Sequence, residues 1–166
     1  MEDLLNKEPV KRVQKFIKEF DNKLKILVLD TTARTAKDAA NSLKCEVGAI
    51  VKSLLFRANG SFLICLVAGD RRCSLNKLKK IIEKKDVSMA HADEVKENTG
   101  FSIGGVAPIA HIKKLDVLDL GGLISVAKDS TTPEVVEVAK VSHFTCIGEM
   151  GLLLEQERLL FLMLRD

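Results

Sequence analysis

One lysine stands where a lysine is costly. Lys52 lies in G-A-I-V-K-S-L-L-F, with apolar residues on both sides of it. In a buried strand its stem must either snorkel to an edge or carry the ammonium into a polar pocket. A compact ammonium in a cleft is a good phosphate anchor, and burial lowers its pKa toward base chemistry. The alternative is an edge-strand lysine facing solvent, because strand alternation turns Lys52 away from Val51 and Ser53. The second candidate is T-G-F-S-I-G-G-V-A-P, Thr99 to Pro108. Paired glycines, here Gly104 and Gly105, let backbone N–H groups approach a ligand and form an anion-binding nest. This loop follows a helical segment rather than opening one, so it is neither a P-loop nor a dinucleotide fingerprint. A tight structural turn is the plainer meaning of Gly-Gly.

Other chemistry is thinly supported. His91, His111 and His143 lack metal-ligand spacing, and Cys45, Cys65, Cys73 and Cys146 form no C-x-x-C pair. No metal site and no cofactor are expected, and reduced, mostly buried thiols are. Nothing marks a nucleophile elbow or an activated cysteine, although a Ser–His–Asp or Cys–His set assembled from distant residues stays open.

The bulk numbers bound the rest. A chain of 166 residues, 46% apolar, suits one domain over residues 1–166 with one core. Trp and Tyr are absent, so an aromatic platform for single-stranded RNA is not expected. Residues 1–118 hold 22 basic and 15 acidic side chains, while residues 119–166 hold 4 and 8. That asymmetry hints at a polyanionic partner for the first part, against the bland reading of a solvated lysine-rich surface. The N-terminal M-E-D-L-L carries acids where a signal peptide needs bases, and no apolar run reaches about 18 residues. A soluble, cytoplasmic protein is expected. The longest apolar run, Leu159 to Leu164, is a core segment at most.

The elements that must position these residues follow from periodicity and punctuation. Pro9 to Phe20 sets Val10, Val13, Phe16, Ile17 and Phe20 on one helical stripe, with Lys11, Arg12, Lys15 and Lys18 around it. Lys25 to Asp30 reads as a short strand. Thr32 or Thr35 caps a helix to about Leu43, with Ala36, Ala39, Ala40 and Leu43 inward. Val47 to Arg57 and Ser61 to Ala68 are strands joined by Asn59-Gly60, a pair that accepts the positive φ angles of a tight hairpin. Ser74 caps a helix carrying Leu75, Leu78, Ile81 and Ile82, with a basic face of Lys77, Lys79, Lys80, Lys84 and Lys85. Asp86 to Met89 is a short strand. Asp93 caps a helix ending near Asn98, and Gly100 terminates it. Strands are predicted near Val117–Leu120 and Leu123–Val126. In Pro133–Asp166, Val135, Val136, Val138 and Val141 favour a strand, and Leu152 onward favours a helix. Strands interleaved with helices, plus one hairpin, predict a mixed α/β domain.

Taken together, V-G-A-I-V-K-S-L-L-F, the N-G hairpin, V-A-G-D-R-R-C-S-L-N-K-L and M-A-H-A-D-E-V-K-E-N-T-G-F-S-I-G-G-V-A-P-I-A-H resemble the YbaK / prolyl-tRNA-synthetase-associated domain family. The resemblance runs from about Val10 to Asp119 and fades after Leu120. Ala107 and Ala110 stand where many members carry Pro or Ser and Gly. It implies a barrel-like mixed β-sheet flanked by helices and an aminoacyl-tRNA hydrolase that deacylates mischarged tRNA, with Cys- or Ala-tRNA(Pro) as the family-based substrate. It implies that Lys52 lines the pocket and contacts the 3′-terminal nucleotide. It also implies that the Gly104-Gly105 backbone cradles the aminoacyl ester. Ser53, Thr99, Gly100, Pro108 and His111 match neighbouring positions that bind substrate. The implied partners are tRNA, through its aminoacyl end, and a prolyl-tRNA synthetase. An aminoacyl ester is already activated, so placement and oxyanion stabilisation suffice, with attack by water or by a substrate thiol. A non-catalytic aminoacyl-tRNA or synthetase-binding module is the alternative, and a nucleotide or small-anion hydrolase is a third reading.

Overall fold

The computed structural model describes residues 2–20, 22, 25–29, 35–119, 149–154 and 158–163. Helices α1 (Glu2–Asn6) and α2 (Glu8–Phe20) open the chain, and β1 (Lys25–Leu27) follows. Helix α2 forms where the apolar stripe is expected. Val10, Val13 and Ile17 are buried, whereas Phe16 is 37% exposed at the border of the stripe. Helix α3 (Ala36–Leu43) starts at Thr35, whose hydroxyl accepts from Asp38 N at 3.1 Å while the Asp38 carboxylate accepts from Thr35 N at 3.0 Å. This capping box satisfies two N–H groups that have no partner inside the helix.

The next segment differs from expectation at its start. Val47–Ala49 is a 3₁₀ turn rather than strand, closed by Ala49 N to Glu46 O at 2.9 Å and Ile50 N to Val47 O at 3.1 Å. Strand β2 (Val51–Ala58) then pairs antiparallel with β3 (Ser61–Ala68) in full register, Val51 opposite Ala68 and Ala58 opposite Ser61. Asn59 and Gly60 have φ values of 50° and 79°. Two consecutive positive φ angles are the signature of a type I′ hairpin turn.

Ser74 caps α4 (Leu75–Ile81), accepting from Lys77 N at 3.4 Å, and of its apolar residues only Leu78 is fully buried. Strand β4 (Val87–Met89) pairs antiparallel with the end of β2, Phe56 to Ala58. Helix α5 (Ala92–Thr99) begins two residues earlier than expected. Its cap is His91, not Asp93, and the Glu94 carboxylate accepts from His91 N at 2.8 Å. Strand β5 (Asp116–Asp119) pairs parallel with Leu63–Leu66 of β3.

The sheet order β4-β2-β3-β5 is mixed and open, not closed as a barrel among the described residues. The C-terminal expectation is corrected. Glu149–Leu154 (β6) and Arg158–Met163 (β7) form an antiparallel hairpin rather than a helix, and β6 adds to β1 in a second, three-stranded sheet. A leucine-rich run satisfies helical and strand periods alike, so pairing with β1 decides it. The strands expected at 123–126 and 135–141 lie outside the described residues.

Two apolar clusters cover the two faces of the four-stranded sheet. Val51, Leu55, Ile64 and Leu66 pack with Val10, Val13 and Ile17 of α2, Val95 of α5, and Phe101, Val106, Ala107 and Ile109. Phe56, Ala58, Leu63, Cys65 and Val67 pack on the other face with Leu78 of α4 and Val87 of β4. The register puts Lys52 beside Val67, on the α4 face.

Candidate functional site

Lys52 is half-buried, and its ammonium turns along the sheet toward the end of β3. It donates to the carbonyl oxygens of Gly69, at 3.2 Å, and Arg71. An ammonium has three donors, so one N–H direction remains for a further acceptor. Burial lowers the Lys52 pKa below the ordinary lysine range, Asp70 pulls it back up, and Arg72 adds to the lowering. The backbone it grips is itself confined. A methyl group on Gly69 would lie 2.2 Å from the Val47 carbonyl oxygen and 3.0 Å from the Ala36 methyl. Gly69 N donates to Ile50 O at 2.5 Å. Only glycine lets the end of β3 come this close to the 3₁₀ turn without moving backbone.

The folded protein therefore binds the Lys52 proton less tightly than the unfolded chain does. Between the lowered folded value and the ordinary lysine value, the unfolded chain carries more of this proton, so stability rises with pH there. The cost of burying the ammonium is fully present below that window. Urea midpoints measured across it should climb less steeply in Lys52→Met than in the parent chain. Superimposable slopes would mean that position 52 contributes nothing to the titration.

The glycine loop is built on α5. Gly100 ends the helix with φ 77° and donates to Lys96 O at 2.9 Å. Buried Thr99 donates its hydroxyl to Val95 O at 2.6 Å and accepts from Phe101 N at 3.1 Å. Ser102 to Gly105 is a β-turn, closed by Gly105 N to Ser102 O at 2.9 Å, with Gly104 at φ 83°. A positive φ at only the third position is the type II pattern, which glycine satisfies. Ile103 and Gly104 form the exposed tip, and Gly105 through Ile109 are buried, Pro108 completely so. The Gly104 N–H has no acceptor among the described residues. His111 is half-buried, its Nε2 2.6 Å from Ala107 O and its ring edge-on to Phe101 at 6.1 Å.

Two residues that hold this loop carry no role in the sequence reading. Arg12 of α2 donates to Ala110 O at 3.2 Å and Thr99 O at 3.3 Å, and its guanidinium sits 4.9 Å above the Phe101 ring. Phe101 itself is fully buried. A β-carbon on Gly100 would come within 2.6 Å of the same guanidinium. The only sequence signal for Arg12 is its position flanking the apolar stripe of α2. On the other side, Arg57 Nη1 meets Glu94 Oε1 at 3.2 Å and ties α5 to β2.

Ser53 is buried on the face that receives the loop, together with Thr99, Gly100 and Pro108. Lys52 and the loop do not share a face: the buried loop residues belong to the α2 side, and Lys52 points to the α4 side. The two sides meet at one free edge. Because β4 pairs only with Phe56–Ala58, Val51 to Leu54 have no strand on that flank among the described residues. Across the described residues no set of His, Cys, Asp or Glu could hold a metal ion. Burial pushes the thiols of Cys45 and Cys73 up and that of Cys65 far up, so none is an activated nucleophile.

This mixed sheet has known counterparts. Residues 30–118 match the aminoacyl-tRNA editing domain family, and the chain belongs to that family. A solved structure described as a candidate trans-editing enzyme for prolyl tRNA synthetase is 35% identical, with a TM-score of 0.66, over 72% of this chain and 76% of that one. The proline–tRNA ligase of Thermosipho africanus is 35% identical over 94 residues, 57% of this chain and 17% of the ligase. That of Kosmotoga olearia is 35% identical over 92 residues, 55% of this chain and 16% of the ligase. The chain thus matches about a sixth of each ligase. Among the described residues no helix is long and apolar enough to cross a membrane.

Proposed function

We propose that this chain is an aminoacyl-tRNA hydrolase acting in trans on mischarged tRNA, in the cytoplasm, and that residues 1–166 form one such domain. The observation that carries this reading is the family match over residues 30–118, which takes in both Lys52 and the Gly104-Gly105 turn. Water, or a thiol on the substrate's own side chain, attacks the ester carbonyl. The ribose oxygen leaves with a proton, giving the tRNA 3′ end and the amino acid or its cyclised thioester. Lys52 uses its remaining N–H on a phosphate or ribose oxygen of the terminal nucleotide. The Gly104 N–H faces the developing oxyanion, where one such donor is worth about 10²–10³ in rate. The 3′ end crosses the free edge of β2 at Val51–Leu54 to meet both. Ser53, Thr99, Gly100, Pro108 and His111 shape or support the loop side. Cys- and Ala-tRNA(Pro) are the first substrates to test, and a prolyl-tRNA synthetase is the first protein partner.

One observation favours a second reading, a binding module without turnover. The Gly105 N–H is already committed to Ser102 O, which leaves the turn a single donor at its tip. A panel of tRNAs mischarged with Cys, Ala, Ser and Pro separates the two. Release of any one amino acid above the uncatalysed rate supports the hydrolase. Salt-sensitive binding with no release from any member supports the module.

A further inference from the structure

We infer that α4 and its flanks form a docking surface for the phosphate backbone of duplex RNA, continuous with the Lys52 side of the sheet. This rests on the proposed reading, because it names the part of the substrate that lies beyond the 3′ end. Residues Arg71 to Lys85 hold seven basic side chains and one acid, Glu83. Arg71, Arg72, Lys77, Lys80 and Lys85 are exposed, and Lys79 and Lys84 are half-buried. Leu78 is the buried anchor that lays α4 on the face to which Lys52 belongs. Lys52 donates to the Arg71 carbonyl, so the ridge begins where the strand ammonium ends. At its far end Lys79, Lys80, Glu83, Lys84 and Lys85 line a shallow hollow of about 420 Å³.

The chemistry of the ridge selects its ligand. It contains no aromatic residue, so it cannot stack bases as surfaces for single strands do. Ammonium groups in a row neutralise phosphates without reading sequence, and duplex RNA is recognised largely through shape and backbone. Arg71 is engaged with Asp70 at 3.5 Å, but no other ion pair involves the ridge among the described residues. Helix α2 carries a comparable set, Lys11, Lys15 and Lys18, around its own hollow, but it covers the opposite face of the sheet. The two patches therefore cannot both follow one stem that enters beside Lys52.

The test compares Lys77→Gln/Lys80→Gln/Lys85→Gln with Lys11→Gln/Lys15→Gln/Lys18→Gln in the full chain. The probe is an acceptor-stem minihelix carrying an amide-linked, non-hydrolysable aminoacyl end. The α4 variant should bind it at least about tenfold more weakly, with a salt dependence shallower by about 2 to 3 in log–log slope. The α2 variant should stay near the parent value, and Lys77→Arg/Lys80→Arg/Lys85→Arg should keep tight binding. Equal losses in the α2 and α4 variants, unchanged binding by the α4 variant, or loss in the arginine variant would each overturn the inference. So would equally tight binding of polyglutamate, which would make the ridge an acidic-protein surface. A CCA trinucleotide bearing the aminoacyl ester isolates the other question. Failure of the parent chain to cleave it and every member of the mischarged tRNA panel removes the hydrolase reading and leaves the minihelix affinities to decide the docking surface. Cleavage of it should be the same in the α4 variant and the parent.

Discussion

Lys52→Ala should lower deacylation of any mischarged tRNA that the parent chain cleaves by about 100-fold, the scale on which a single charge-stabilising donor acts. The ammonium is held by two carbonyls at the end of β3, so it is placed before substrate arrives. Preorganised donors contribute most because they need no reorganisation during the reaction. Lys52→Arg should restore only part of the loss. A planar five-donor fork cannot reproduce a point ammonium between Gly69 O and Arg71 O. Removing a half-buried lysine should leave the fold intact, so thermal melting serves as the control. Rates for Lys52→Ala that match the parent chain on every cleaved substrate, with melting unchanged, would take this residue out of the mechanism.

Phe101→Ala should be the most destabilising single change near the site, at about 3–5 kcal/mol. The ring is fully buried, contacts the edge of His111 and lies beneath the Arg12 guanidinium. Truncation leaves a cavity and strands a cation whose aromatic partner is gone. For a chain of this length the fall in Tm should be on the order of 10 °C. Arg12→Leu should cost less, because Phe101 keeps its apolar neighbours, but it frees the carbonyls of Thr99 and Ala110. Differential scanning calorimetry of the two variants and the double variant tests the coupling. Strictly additive losses would mean that ring and guanidinium act independently.

What could be read from sequence divides along the range of the interaction. The Asn59-Gly60 turn and the caps at Thr35 and Ser74 are local devices, and each lies where its residue type demands. His91 is equally local, but histidine is not among the preferred caps, so Asp93 takes its place in a reading by residue type. Alternation alone gives Lys52 a face, yet not the identity of that face, which depends on where α4 docks. Arg12 meets Ala110 across 98 residues of sequence, and no periodicity reports such a pair. The Leu152 region failed for the same reason, since its strand exists by pairing with β1 near the other end of the chain.

The dependence of the glycine loop on α2 bears on how this protein can be cut. The family match spans residues 30–118, whereas Val10, Arg12, Val13 and Ile17 supply one wall of the main core and the clamp over Phe101. A fragment trimmed to the matched span would expose that wall to water and leave the loop unsupported. The transplantable unit, for fusion to another protein or for isolated expression, has to reach back at least to Glu8.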